Sequence, residues 1–275
     1  MNNNRCGVLA AILAVALAPA VAHAQDAASN AAKANAAAED TGPKPEFSAG
    51  ATYLDGKYGQ TTDTSIVYAP FTAAYRASNW KVDATIPYLD VRGPGNVVGS
   101  GGTPIVVGSG SPKVSDRSGL GDVTLGGSAM LPKVSALPFL EVAGRVKLPT
   151  AQRSLGTGQT DVSAQLNAYQ VVSPTVTLLA SAGYQWLGKS STYRLKDGAL
   201  AMIGADFKMD KALDLGISAN YIGSIAQGLS DQITISPFLS WRADKHWGVT
   251  AYGLGGATRS SPDWGAGFQL TYYPG

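Results

Sequence analysis

Alternating polarity within segments of roughly ten residues is the feature that most constrains how this chain can fold. Between Phe139 and Leu148, the even positions carry apolar or small residues, whereas the odd positions include Glu141, Arg145 and Lys147. A β-strand has a side-chain period of two, so this segment predicts a strand with one apolar face and one charged face. The next segment along the chain repeats the pattern.

Two architectures bury one face of such strands. A soluble sandwich turns its apolar face inward, whereas a transmembrane β-barrel turns it outward to the lipid. Here the apolar faces use Ala, Gly and Val, with aromatic residues near the segment ends, and the polar faces carry full charges in mid-segment. Strands of about 9–11 residues with these features are typical of a transmembrane barrel. A soluble periplasmic β-protein remains the alternative.

The pattern recurs along the chain. It predicts an all-β protein, an antiparallel transmembrane β-barrel of about 12 strands. The predicted strands lie near residues 46–55, 64–76, 79–91, 121–132, 138–148, 160–171, 175–187, 198–209, 212–224, 231–242, 246–258 and 263–273. Short and longer connections alternate between them, as in a barrel with short periplasmic turns and longer external loops. Pro70, Pro87 and Pro237 fall inside predicted strands, where we expect bulges or strand ends.

The N-terminal residues are typical of export. Residues 1–24 combine Arg5, an apolar run and the small-residue motif that ends at Ala24, which predicts a cleaved signal peptide. The Ala-rich residues 25–45 predict a flexible periplasmic tail. The only cysteine, Cys6, lies in the predicted leader, so we expect no disulfide and no thiol chemistry.

These elements predict one membrane domain, a barrel over residues 46–273 in the outer membrane of a Gram-negative bacterium. The 92–119 stretch is its longest connection, and we expect a flexible external loop that could fold over the mouth. The predicted partners are outer-membrane lipid and a small-molecule solute. Nucleic acid is not expected, because the net charge is only +2 and no basic block is present.

Catalysis is not expected from the residue types present. The only histidines are His23 and His246, and His23 belongs to the predicted leader. A Ser-His pair would need a His on a strand near the outer mouth, but His246 lies in a predicted periplasmic turn. No set of His and Cys residues is present to bind zinc, and no G-x-S-x-G nucleophile elbow occurs. Carboxylate pairs stay open as an alternative, but no cofactor and no metal are predicted, and we expect a protein that is not an enzyme.

Charged residues on the polar faces are the candidate functional set, because in lipid each of them would be costly. Two interpretations remain open, a polar pore that selects solutes and a structural network of ion pairs that fills a narrow barrel. One hypothesis places Arg145, Lys147 and Asp161 near the external mouth as a charge filter. The predicted lumen-lining residues are Lys81, Asp83, Asp122, Glu141, Arg145, Lys147, Asp161, Asp206, Lys208, Asp214 and Arg242.

Four motifs carry a resemblance to a known family. They are GLGDVTLG at 119–126, KLPT at 147–150, LGTGQTDV at 155–162 and GYQWLG at 183–188, and the sequence resembles the outer-membrane "MetA-pathway of phenol degradation" transporter family. The likeness is strong over about 119–190 and looser elsewhere, and Ala151 stands where a Gly is usual. It implies a barrel channel that admits aromatic or other small organic compounds, and it carries over no catalytic residue.

The sequence therefore predicts a porin-like channel or transporter for passive passage of small solutes. The alternative is a non-conducting barrel with a structural or surface-interaction role, in which residues 92–119 are the exposed element.

Overall fold

The computed structural model describes residues 43–94, 96–100, 103–107, 114–134, 137–152, 154–189, 194–226 and 229–275, with only the backbone for 96–100 and 103–107. The predicted signal peptide and residues 25–42 of the predicted tail lie outside these residues. No helix in the described part of the chain is long and apolar enough to cross a membrane. The strands are β1 (Lys44–Gly56), β2 (Thr64–Arg76), β3 (Trp80–Gly93), β4 (Asn96–Ser100), β5 (Thr103–Val107), β6 (Ser115–Leu120), β7 (Thr124–Met130), β8 (Phe139–Lys147), β9 (Asp161–Ser173), β10 (Val176–Trp186), β11 (Gly198–Lys208), β12 (Leu213–Ile222), β13 (Gln232–Arg242), β14 (Trp247–Gly256) and β15 (Trp264–Tyr272).

The main sheet closes on itself. Each strand pairs antiparallel with its neighbours, and β1 joins β15, so Phe47 lies opposite Tyr272. Strands β6 and β7 both pair with β3 and together form one wall strand. Within the described residues, the ring therefore has twelve strand positions, and the predicted twelve-stranded antiparallel barrel is confirmed.

Short and long connections lie at opposite ends of the barrel. The short-turn end carries the turns 77–79, 174–175, 209–212 and 243–246 together with the slightly longer connection 131–138. The long-loop end carries the remaining connections, which include residues 148–160 and 187–197. Antiparallel neighbours need only a tight turn at one end, so the alternation predicted from the sequence follows from the closed topology.

The outer wall is apolar. Large hydrophobic side chains are exposed along every wall strand, and Ile203 and Phe268 are examples with more than half of their surface accessible. Aromatic pairs mark both rims: Tyr53 meets Trp264 at the long-loop end, and Trp247 meets Tyr272 at the short-turn end. Such belts match the headgroup regions on the two sides of a bilayer.

The sequence predicts a loop over residues 92–119, but the described residues of this stretch are largely strand. Strand β3 extends to Gly93, and β6 pairs with it, so the wall rises further on this side. Strands β4 and β5 form a separate hairpin, in which Val97 lies opposite Val106. The glycines of this stretch favour a loop, but its Val-Val and Ile-Val-Val runs have strong β propensity, and that propensity prevails.

The three prolines interrupt pairing without ending strands. The clearest case is Pro87, where the wall strand opposite breaks between β6 and β7. Gly121 N donates to Pro87 O at 2.8 Å, but Pro87 has no N–H to return. Before this break the inward-facing residues have odd numbers, as at Arg117, and after it they have even numbers, as at Thr124. Asp122 lies at this break and is buried.

Candidate functional site: the barrel interior

The candidate site is the inside of the barrel, where every wall strand contributes alternate side chains. Of the eleven charged residues predicted to line the lumen, eight are buried: Lys81, Asp83, Asp122, Glu141, Arg145, Lys147, Asp161 and Asp206. The other three, Lys208, Asp214 and Arg242, are half-buried. They alternate with the exposed apolar residues of the outer wall. That solutes pass along them stays a prediction.

Lys147 is the centre of a buried ion-pair group at the long-loop end of β8. Its Nζ lies 2.9 Å from Asp122 Oδ2 and 2.9 Å from Asp161 Oδ2. It also donates to Thr157 Oγ1 at 3.0 Å. The remaining Asp161 oxygen accepts from Gly188 N at 2.9 Å, so one lysine ties three segments of the rim together.

A second set of buried charges covers the same side of the barrel nearer the short-turn end. Arg145 Nη2 lies 3.5 Å from Asp83 Oδ2. Glu46 bridges two cations, with 2.9 Å to Arg76 Nε and 3.4 Å to Lys81 Nζ. Opposite charges at these distances inside a barrel hold each other and are costly to separate. The network therefore matches the structural interpretation of these charges. Arg145 on β8 reaches Asp83 on β3, two strand positions away, and Lys147 reaches Asp122 at the β6–β7 break and Asp161 on β9.

The buried carboxylate of Glu141 accepts a hydrogen bond from a hydroxyl group. Tyr169 donates its OH to Glu141 Oε2 at 3.0 Å across the β8–β9 pair. Both side chains are buried. This contact belongs to the wall formed by β7, β8 and β9.

The remaining predicted charges lie on β11, β12 and β13. Lys208 lies opposite Asp214 in the β11–β12 register, and Asp206 precedes them toward the middle of the barrel. Arg242 stands over the Tyr273 ring, 4.7 Å from its centre. Among the described residues, ion pairs therefore connect the strands of this wall less extensively than those of the wall formed by β3, β7 and β8.

An apolar cluster lies in the long-loop half of the interior, and the sequence did not predict it. We name it the apolar seal. Its side chains come from both sides of the barrel and include three aromatic rings. Its members are Leu54, Tyr58, Ile66, Tyr68, Leu89, Val91, Leu155, Phe238 and Leu254.

Leu155 reaches the apolar seal from the connection between β8 and β9, so residues of this loop enter the barrel. Asp122 Oδ1 accepts from Ala151 N at 2.8 Å, and Val123 N donates to Thr150 Oγ1 at 2.8 Å. Leu155 is only 1% exposed and also lies close to Gly119. The loop is therefore fixed to the β6–β7 break and closes the interior from one side.

Tyr58 caps the apolar seal from the connection between β1 and β2. Its φ is 49°, a left-handed value that is uncommon for a residue with a side chain. The ring is buried, and burial raises the pKa of its hydroxyl. Packing of the ring in the seal compensates for the backbone cost.

The inner face of β13, β14, β15 and β1 differs from the rest in the short-turn half. Between Glu46 on β1 and Arg242 on β13, it carries half-buried neutral polar side chains, which we name the neutral track: Ser48, Ser240, Thr250, Gln269 and Thr271. Ser240 and Thr250 are hydrogen bonded through their hydroxyls at 2.9 Å. Alternation alone places these residues inward, but nothing in the sequence singles them out from other Ser and Thr residues.

The closed sheet, the apolar outer wall and the two aromatic belts define an integral β-barrel protein of the Gram-negative outer membrane. The chain belongs to the family described as "Putative MetA-pathway of phenol degradation", which matches residues 41–273. The resemblance carried by the four sequence motifs is thereby confirmed. A comparison with curated proteins finds no match.

Several solved structures share the fold. The COG4313 outer membrane channel from Pseudomonas putida F1 is 12% identical, with a TM-score of 0.64 over 85% of this chain and 96% of that chain. The KdgM porin is 12% identical, with a TM-score of 0.52 over 82% and 98%. The beta domain of the Bordetella autotransporter Brka is 9% identical, with a TM-score of 0.50 over 84% and 98%. At these identities the likeness shows the barrel architecture.

Proposed function

We propose that this protein is a passive outer-membrane channel for small organic solutes, aromatic compounds among them, with its long-loop end facing the exterior. The observation that carries the proposal is the apolar seal, a cluster of aliphatic and aromatic side chains inside a membrane barrel. Interiors of general porins are polar and filled with water. Leu54, Leu155 and Phe238 are buried, so the seal is closed in this structure, and when its side chains part it favours solutes that gain by leaving water.

The chemistry of the seal sets the solute class. An aromatic ring that enters it contacts Tyr68 and Phe238, and ring pairs are favourable beyond their buried area. An ion that enters it loses its hydration without a partner of opposite charge, which is costly. Passage down a gradient breaks no bond, so the proposal requires neither a catalytic residue nor a cofactor. The channel named among the similar folds supports this class of function.

A second candidate is a barrel that conducts nothing. It is favoured by the buried ion pairs of Asp83 with Arg145 and of Lys147 with Asp122 and Asp161, which brace one wall from within. Under this alternative the seal is an ordinary hydrophobic core that happens to lie inside the barrel.

The test is solute uptake into liposomes that contain the refolded protein. Two neutral solutes are used: benzamide, an aromatic amide, and arabinose, a sugar that lacks an aromatic ring. The uptake of each is compared with its uptake into protein-free liposomes. We expect protein-dependent uptake of benzamide that exceeds that of arabinose. A heat-modifiable band in detergent electrophoresis checks folding. Folded protein that adds uptake of neither solute would favour the non-conducting barrel.

A further inference from the structure

We infer that the neutral track is the solute-binding path in the short-turn half of the barrel, and that it takes uncharged solutes with hydrogen-bonding groups. The inference rests on the proposed function and adds the place of the path and the charge class of the solute. It gives the ion-paired wall on the opposite side of the barrel a structural role.

The track is continuous across four strands. Ser240 on β13 lies opposite Thr250 on β14, and Thr250 lies opposite Gln269 on β15. One step nearer the short-turn mouth, Thr271 lies opposite Ser48 on β1. These side chains therefore form adjoining rows of hydroxyl and amide groups.

Accessibility separates the track from the wall across the barrel. All five track residues are half-buried. Strand β8 lies six of the twelve strand positions from β14 and is therefore on the opposite side of the ring. Its inward residues Glu141, Ala143 and Arg145 are buried. A solute that arrives from the short-turn mouth therefore meets the track.

Charge distinguishes the two walls in the same way. The track contains no ionisable side chain, and its Ser, Thr and Gln groups both donate and accept hydrogen bonds. The charges across the barrel engage one another, as in the Asp83–Arg145 pair. A neutral solute with an amide or hydroxyl group finds partners along the track. The charges nearest to it are already engaged, Arg242 over the Tyr273 ring and Glu46 with Arg76 and Lys81, so an ion on the track meets no free counter-charge.

The track leads directly into the apolar seal. Tyr252 follows Thr250 on the same face of β14, and its OH is hydrogen bonded to Thr52 Oγ1 at 2.5 Å. Its ring packs against the seal, which Phe238 and Leu254 continue. A neutral ring with one polar group can pass from hydroxyls to apolar side chains without a charge to desolvate.

Cysteine labelling of the refolded full-length barrel tests the inference. In a C6S background, which has no other cysteine, the T250C and Q269C variants probe the track, and A143C is the matched control on the opposite wall. The probe is 2-hydroxyethyl methanethiosulfonate, a small neutral reagent, and modification is read by mass spectrometry. We expect T250C and Q269C to react at least about tenfold faster than A143C, because a buried thiol reacts only after a local opening.

Protection by solute then tests binding and charge. Benzamide and benzoate have nearly the same shape and differ in charge. Benzamide should slow labelling of T250C and Q269C, and benzoate at the same concentration should not. Equal labelling of all three variants, lack of protection by benzamide, or equal protection by benzoate would each overturn the inference. Because labelling needs no flux, a barrel that passes the labelling test but fails the liposome uptake test would overturn the proposed function alone.

Discussion

Lys147 and Asp122 stand 25 residues apart in the chain and meet inside the barrel, with 2.9 Å between Nζ and Oδ2. Both side chains are almost fully buried. Asp161 completes the group on the other side of the lysine. The group fixes the β8–β9 connection to the break between β6 and β7, so it decides where Leu155 lies.

The first prediction concerns this group. Replacing Lys147 with Met keeps the length of the side chain and leaves two buried carboxylates without their cation. We expect K147M to lower the free energy of unfolding by about 3–5 kcal/mol, the usual range when one partner of a buried pair is removed. Denaturant unfolding from lipid vesicles, followed by tryptophan fluorescence, measures it. Lys211→Met, at an exposed turn residue, is the control, and an equal loss in both variants would contradict the prediction.

The second prediction concerns a glycine that makes room for an aromatic ring. The Phe238 ring lies over Gly216 in the neighbouring strand, in the space that a side chain there would occupy. We expect G216A to destabilise the barrel by about 1–3 kcal/mol, because the ring must leave its place in the apolar seal.

Gly255 gives the matched control, because a methyl group there would meet no atom within 4 Å. G255A should leave the unfolding midpoint close to that of the parent protein. Adding F238L to G216A should restore part of the stability that G216A loses. Equal midpoints for G216A and G255A would show that the ring does not depend on the glycine.

The wall of the barrel could be predicted from the sequence because its signal is local. The alternation from Phe139 to Lys147 fixes which side chains face lipid whatever the partner strands are. The buried face confirms it, since Glu141, Arg145 and Lys147 are all buried. The short and long connections follow from the same local pattern.

The contents of the barrel could not be predicted in the same way. Asp83 and Arg145 are 62 residues apart, and only the ring order brings their strands close enough for contact. Leu155 stands among Gly, Thr and Ser residues that favour a loop, so its place in the apolar seal is a tertiary property. The one local clue is Pro87, whose missing N–H opens the opposite strand and turns Asp122 inward.

The third prediction is a pH dependence at the long-loop end. Asp231, in the connection between β12 and β13, accepts from Ser224 N at 2.8 Å and from Tyr221 OH at 2.9 Å. These bonds, the backbone bond first, hold the pKa of Asp231 below its usual range. A carboxyl whose pKa is lower when folded stabilises the fold above its unfolded pKa, about 3.9, and this contribution is lost as the pH falls through the folded pKa.

We therefore expect D231N to lower the unfolding temperature of the barrel at neutral pH. The difference from the parent protein should shrink toward zero as the pH falls below about 4, where protonation removes the charge in the parent protein as well. Thermal scans at a series of pH values measure it. Asp63→Asn, at an exposed position of another long-end connection, is the control and should show a smaller difference. A difference that persists at the most acidic pH would contradict the assignment.

The fourth prediction concerns the apolar seal itself. Leu155 is 1% exposed and, like Tyr58, enters the interior from a loop, so it can change without altering a wall strand. A hydrophobic constriction limits ion flow by excluding water, and we expect L155A to raise single-channel conductance in potassium chloride by about twofold or more. L155N, with a polar side chain of similar size, should raise it as well, because it admits water without emptying the site.

Leu120, which points to lipid and is 60% exposed, supplies the control, and L120A should conduct as the parent protein does. Loss of a buried leucine can cost about 2–5 kcal/mol, so the folded fraction of L155A is checked by its heat-modifiable band before currents are compared. If folded L155A and L155N both conduct as the parent does, Leu155 does not close the path. The constriction would then lie deeper in the seal, at Tyr68 and Phe238, where wall strands alone hold it.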